Sequence, residues 1–538
     1  MAKQTLFQAA QHRLEADLHS QLQRVAQWFV LLMFGLHPLI ADWISPYYDV
    51  TTYKQNNLLY CLAALVLGVV IIYLIALIKG YRFKLDVKSF VQSVKAYEWA
   101  LAAYWVIMTI SALISPYVDS IWYGVNEPGR NESYMIQTCY IAAFLIVGRL
   151  YKPKMFDFYV LCAVSIFVAG YGVFQYYNMD FLGFFPTDID MINHSIYMQF
   201  VATMSNTNMT STYVAIAFCV NTVLCLTQNG RTKWLFFAGS LVALYGLLVM
   251  EVESGYIGIL VAGAVCLPLM AKDRLTGVRF LTLAAGWFLL MWVHAIVFIN
   301  YVRPVLLEND LSISVIVLPF MNFLLPLAAI AGLAAVVLYK SRWAGISERH
   351  WKMAWWIGLA ALIVIVYAML PMIAERTDVR LIKEMAAVSR GQMKDEFGSH
   401  RGLIWRLSMQ LAGENPIFGV GPDALAAVFK ERFAQITTEA MGVLVDKAHS
   451  EYMQALVDMG FIGLLCKMAF HSLAFVAVRK KLRQPMVLAS YVALVCFSVQ
   501  AFFNFSTTVS HPIVWTLWGV MVASGNAYSD DGEDTVSA

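Results

Sequence analysis

Apolar runs of span length recur along this chain, separated by short polar or basic loops. A hydrocarbon core about 30 Å thick needs roughly 20 apolar residues per helix, and helices satisfy their own backbone groups in lipid. The pattern predicts spans near 25–44, 58–79, 97–115, 134–150, 156–176, 211–227, 234–250, 256–271, 280–300, 312–339, 354–374, 453–478, 486–503 and 512–527. That makes about fourteen, the mark of an all-α integral membrane protein. The polar interruption from about Glu375 to Ala448 is long enough for its own architecture. ERTDVRLIKEMAAVSRGQMKDEF has helix-forming composition, and RGLIWRLSMQLA spaces Leu403, Trp405, Leu407 and Leu411 as an interfacial helix does. Gly413, Pro416, Gly419, Gly421 and Pro422 break that helix. DALAAVFKERFAQI predicts another, with Asp423 read first as its N-cap. The expected organisation is an N-terminal segment (1–24), eleven spans (25–374), a lid of short helices (375–448), three spans (449–527) and an acidic tail (528–538).

Composition agrees: 60% of 538 residues are apolar, 14% are charged, and mean hydropathy is +0.64, which excludes a soluble globular domain. Alternate short loops carry 21 Lys and Arg, whereas those between them hold Lys54, Arg130 and Arg303. Basic loops stay in the cytoplasm, so both termini are expected there and the Ser399–His449 region is expected outside the cytoplasmic membrane. The net charge of +3 is then a topology signal with no bearing on nucleic acid. The first 24 residues are polar and lead into a full-length span, so no cleavable leader is expected. All eight cysteines fall inside predicted spans, which disfavours disulfides and thiolate metal sites.

Chemistry is expected between Ser399 and Gly463. Arg401 and Trp405 precede an Asn-Pro-x-x-Gly-x-Gly-Pro turn (Asn415, Pro416, Gly419, Gly421, Pro422), and Ala-His-Ser-Glu-Tyr-x-Gln (448–454) precedes Gly-Phe-Ile-Gly (460–463). Together these resemble the O-antigen ligase and O-antigen polymerase superfamily of polytopic glycosyltransferases. GVNEPGRNES (Gly124, Arg130, Glu132), MSNTN (Asn206, Asn208) and FFNFS (Asn504, Ser506) follow in the family's order. The resemblance implies a GT-C-like bundle and transfer of a glycan from an undecaprenyl diphosphate carrier to a lipid, glycan or protein acceptor. It implies an inverting, metal-independent reaction with no cofactor, serving cell-surface polysaccharide biosynthesis. Such chemistry needs cations on the leaving diphosphate, which an arginine fork suits, and a base for the acceptor hydroxyl, which a histidine suits.

His449 is the expected base, the alternative being an interfacial histidine bonded to lid backbone. Arg401 is the expected diphosphate clamp, or else an arginine reaching for lipid headgroups. Arg406 lies about 140° further round the helix and is a weaker candidate. Arg130 and Glu132 read either as site residues or as ordinary loop residues. Glu253 stands where many family members carry arginine, so it reads as a sugar ligand, a partner of Arg401 or Arg130, or a turn residue. Asn206, Asn208, Asn504 and His511 suit a sugar cavity or helix caps. Lys467 and His471, inside a span, have no role beyond packing or snorkelling toward the cytoplasm. No P-loop, Gly-x-Ser-x-Gly or His-Glu-x-x-His is present. Ligase, polymerase and protein O-glycosyltransferase all remain open, and the rival from another class is a secondary transporter or flippase. A transporter is expected to place its charged and broken segments near the midplane in paired halves, whereas here they gather in one lid.

Overall fold

The computed structural model describes residues 2–41, 46–82, 86–124, 130–177, 179–183, 201–250, 252–270, 273–302, 320–341, 348–376 and 380–527. All regular structure among them is helical. In chain order the helices are α1 (Ala2–Leu31), α2 (Pro46–Ile78), α3 (Val87–Ser93), α4 (Ala96–Ile114), α5 (Val118–Ile121), α6 (Tyr134–Leu150), α7 (Met155–Tyr176) and α8 (Thr207–Thr227). Next come α9 (Lys233–Met250), α10 (Glu253–Met270), α11 (Arg274–Val297), α12 (Met321–Lys340) and α13 (Glu348–Glu375). The lid holds α14 (Arg380–Ser389), α15 (Phe397–Glu414), α16 (Leu425–Arg432) and α17 (Ala434–Met441). The chain ends with α18 (Glu451–Val478), α19 (Pro485–Gln500) and α20 (His511–Ala527).

Among the described residues, ten helices are long and apolar enough to cross a membrane, and α6 and α19 are shorter apolar helices. The segments of α1 and α20, also predicted as spans, are not among these. Helix α1 starts at Ala2, so the polar segment before residue 25 continues the first apolar run as one helix. Arg303, the first residues of the predicted span at 312–339 and the acidic tail from residue 528 lie outside the described residues.

Helix α8 forms the centre of the bundle, and its whole apolar window is buried. Its polar side chains find partners on neighbouring helices, Asn221 on Ser165 of α7 (3.2 Å) and Thr222 on Ser240 of α9 (2.9 Å). Helices α12 and α13 lie at the periphery with most of their apolar surface exposed, as lipid-facing helices would. The indole N–H of Trp355 ties α13 to the Ala264 carbonyl of α10 at 2.8 Å.

Helices α4, α6 and α20 give the bundle two chemically different ends. At one end Lys95, Arg149 and Asn526 line a common cleft. At the other end Ser115 meets the lid, Glu132 meets Lys447, and His511 meets Glu451. The basic loops and the family-like motifs therefore lie at opposite ends of the same helices.

The predicted span at 453–478 is not one straight rod. Gly460 takes φ 66° and ψ −173°, a region only glycine occupies readily, and breaks α18 into two arms. Lys467 Nζ then lies 3.0 Å from Glu451 Oε2, although sixteen residues of continuous helix would separate them by about 24 Å. The backbone dips inward at Ser450–Glu451, runs back as a short helix to Gly460, and reverses. Carbonyls freed by the break are taken up by the glycine-rich turn of the lid. Val420 N–H donates to Val457 O (2.9 Å), Gly421 N–H to Asp458 O (2.9 Å), and Phe461 N–H to Pro416 O (2.8 Å). A Cβ on Gly460 would stand 2.4 Å from the Ile417 carbonyl group, and one on Gly419 equally close to the Val457 oxygen.

This geometry predicts that Gly460→Ala sharply lowers both the yield of folded protein and its melting temperature in detergent. Gly442→Ala, at a left-handed helix end with open space around it, should cost only about 1 kcal/mol. Equal melting temperatures for the two variants would refute the account of the Gly460 contact.

Candidate active site

The site is built on the segment that feeds α18. Lys447 is completely buried, and its ammonium bonds Glu132 Oε2 at 2.9 Å and Asp423 Oδ1. Asp423 also accepts the Glu132 N–H (3.3 Å), and its own N–H donates to Asp458 Oδ2 (3.2 Å). Gln454 completes the group: its amide donates to both Asp458 oxygens at 3.1 Å, and its Oε1 accepts the Ala448 N–H at 2.9 Å. Burial disfavours the charge on Lys447, yet the Asp423 and Glu132 carboxylates outweigh it and hold the ammonium well above its ordinary range. One lysine thus joins the loop before α6, the lid turn and the dip. Sequence reasoning missed Lys447, because a lysine in a polar loop carries no sign of burial. Asp423, read as an N-cap, is instead part of this cluster; Ala424 occupies the cap position of α16.

Held by this anchor, His449 adopts a left-handed backbone (φ 50°) and stands edge-on to the Phe505 ring, with centroids 5.2 Å apart. Burial, reinforced by Arg401 and Arg130 and opposed by Asp446, pulls its pKa down to about 4. The imidazole is therefore neutral near pH 7, the form that accepts a proton.

Arg401 follows an unusual turn. Gly398, Ser399 and His400 are all left-handed, and true helix begins after them. Non-glycine residues in that region cost on the order of 1–3 kcal/mol each and gather where surrounding structure imposes them. Among the described residues, six non-glycine residues have positive φ: Ala202, Ser205, Ser399, His400, Asp423 and His449. Five of these lie in the segments singled out above, and Ala202 lies just before MSNTN. Arg401 Nη1 donates to the Gly398 carbonyl at 2.9 Å. One turn further along α15, Trp405 Nε1 donates to Ala448 O at 3.0 Å, which registers the lid helix against the His449 segment. Arg130 pairs with Asp446 (2.8 Å), and its guanidinium carbon sits 5.2 Å from the Phe505 centroid. Arg130 and His449 share that ring.

The other candidates are placed differently. Arg406 is exposed and forks onto Asp395 of the lid, at 3.0 and 2.6 Å, away from His449. Glu132 is buried against Lys447. Asn206 caps α8 by accepting the Asn208 N–H at 2.9 Å, and the Asn208 carbonyl accepts from Thr212 at 3.1 Å. Asn504 is buried, donating to Ser254 Oγ (3.0 Å) and Thr212 Oγ1 (3.3 Å). Glu253 opens α10 beside Ser254. Lys467 reaches Glu451 rather than the basic end of the bundle, and Glu451 also meets His511 Nε2 at 2.6 Å. Since His511 Nδ1 accepts the Thr507 N–H (3.0 Å), Nε2 carries the proton given to Glu451. His471 stacks on Trp518 with centroids 4.9 Å apart. No three His, Cys, Asp or Glu among the described residues are placed to hold a metal ion.

A multi-pass helical bundle with a lid docked on a broken helix, and a histidine that shares a phenylalanine ring with an arginine, defines a membrane protein with a polar site at one end. Residues 321–468 match the family model described as O-antigen ligase, which bears out the resemblance to the O-antigen ligase and polymerase superfamily. The match runs from α12 through the lid and the dip to the second arm of α18, and includes Arg401, Lys447 and His449. Arg130, Glu132, Asn206, Asn208, Glu253 and Asn504 lie outside it. A search of curated proteins finds no match.

Removing one partner of a buried ion cluster costs about 3–5 kcal/mol, because the opposite charges remain uncompensated. Lys447→Met should therefore lower the melting temperature markedly. The deficit should shrink as pH falls from 8 toward 5, since the stranded carboxylates take up protons in the folded state that the unfolded chain at those pH values does not bind. A pH-independent deficit would show that lost packing, not charge, is the cause.

Proposed function

We propose that the protein is a membrane glycosyltransferase of the O-antigen ligase type. It moves a glycan from an undecaprenyl diphosphate carrier to an acceptor hydroxyl at the outer face of the cytoplasmic membrane, with both termini in the cytoplasm. What supports this reading is that Arg130 and His449 share the Phe505 ring while Trp405, one turn along the helix from Arg401, bonds the Ala448 carbonyl beside His449. The acceptor oxygen attacks C1 of the donor sugar from the face opposite the diphosphate, inverting the configuration. Its proton passes to the neutral imidazole of His449, the new O–C1 bond forms, and the C1–O bond to phosphate breaks. The electron pair leaves with the diphosphate, a stable leaving group whose growing charge Arg401 and Arg130 neutralise without a general acid or a metal. Glu253, Asn206, Asn208 and Asn504, around the same end of α8 and α10, are assigned to sugar hydroxyls. Arg406 and Glu132 are assigned to holding the lid and the His449 segment in place.

Purified protein in nanodiscs, given an undecaprenyl-diphosphate-linked oligosaccharide with EDTA present, is expected to form product only when a lipid or protein acceptor is added. A ladder of lengthened carrier-linked glycans would make it a polymerase instead. Silence with every acceptor would favour transport. His449→Ala should insert normally and lose about 10²–10⁴-fold in rate, and unchanged turnover would remove His449 from the mechanism. Arg401→Lys keeps the charge and loses the fork, so a large loss of activity is expected; full activity would make Arg401 an interfacial anchor. In wild-type protein the acid limb of kcat/KM for the donor, which reports the free enzyme, should fall near pH 4 rather than near 6.5.

A further inference from the structure

His449 is a weak base as it stands. The charges acting on its ring are those of Arg401 from α15 and Arg130 from the loop before α6, which both oppose protonation, and that of Asp446, which favours it. The groups behind its backbone are engaged with one another: Lys447 with Glu132 and Asp423, and Glu451 with Lys467 and His511. Arg130 and His449 each lie 5.2 Å from the Phe505 centroid, so guanidinium and imidazole are separated by at most about one screening length in 0.1 M salt. Trp405 fixes α15 to Ala448, which keeps Arg401 at the same mouth. The cations that weaken the base are thus the same ones assigned to the diphosphate.

We propose that the donor's own diphosphate switches His449 on as a base: by neutralising Arg401 and Arg130 it stabilises the imidazolium, so that acceptor deprotonation is coupled to donor occupancy. The inference rests on the transferase reading above and adds an order of events, donor first and acceptor activation second. It also matches the charges the reaction creates. As the proton moves from acceptor oxygen to His449 and the C1–O electron pair moves to the diphosphate, one positive and one negative charge appear side by side. Each stabilises the other.

The test reads His449 directly and does not depend on turnover. Deuterium exchange at the imidazole C2–H, followed by mass spectrometry of the peptide containing His449, gives the protonation midpoint of that one histidine in the whole protein in nanodiscs. It is measured from pH 5 to 8 with and without inorganic pyrophosphate, and calorimetry follows pyrophosphate binding separately. Without pyrophosphate, His449 should stay neutral over this range. With it, the midpoint should enter the range, a rise of at least about one unit, which by linkage means about tenfold tighter pyrophosphate binding to the protonated form. Arg130→Gln should raise the midpoint without pyrophosphate and reduce the further rise on adding it. Pyrophosphate that binds without moving the midpoint would overturn the coupling and leave the transferase reading intact. Failure of pyrophosphate to bind at any pH would overturn the coupling together with the assigned diphosphate site.

Discussion

Backbone polar groups cannot go unbonded inside a membrane bundle, and the architecture around the site follows from how one helix break meets that demand. Where α18 stops at Gly460, the carbonyls of Val457 and Asp458 lose their helical partners. The lid's Gly-x-Gly-Pro turn supplies N–H groups from Val420 and Gly421, and Ser111 of α4 adds its hydroxyl to Asp458 O at 2.7 Å. Only glycines let the two backbones approach this closely. The two motif halves are therefore one structural unit, a seam between lid and bundle, and the dip that carries His449 is held in place by it.

Electrostatics divides the same region into parts with different duties. The Lys447 cluster and the Glu451–Lys467–His511 group are buried and internally bonded, which suits anchors that hold the dip from two sides. The Arg130–Asp446 pair is about one third exposed and borders the His449 ring. Internally bonded ion clusters behind a partly open cation pair leave His449, half-buried, among opposing charges at the mouth. Left-handed residues at Ser399, His400, Asp423 and His449 record how firmly the surroundings dictate this arrangement.

Much of this was legible in the residue pattern alone. Apolar runs of membrane-spanning length placed most helices to within a few residues, because in lipid a helix is the only local solution for an apolar run. The glycine and proline signals marked the lid break correctly, and the matched family domain contains the motif that suggested the resemblance. The chain also carried the identities of Arg401, Arg130 and His449 as polar groups at the edges of apolar segments. It did not show which of several polar residues face one another. Arg401 and Arg406 are alike in sequence, yet one acts on His449 and the other forks onto Asp395 on the exposed lid surface. Glu132 and Arg130 are two residues apart, yet one is buried against Lys447 and the other borders the site. Hydropathy is a property of each residue taken singly, so it determined which segments are helical and apolar enough to span a membrane. Pairing depends on contacts 300 or so residues apart, such as Lys447 with Glu132, and on a reversal at Gly460 that hydropathy reads as uninterrupted helix. Those the tertiary structure alone decided, because only the packed bundle brings the charges near enough, and dry enough, to act on one another.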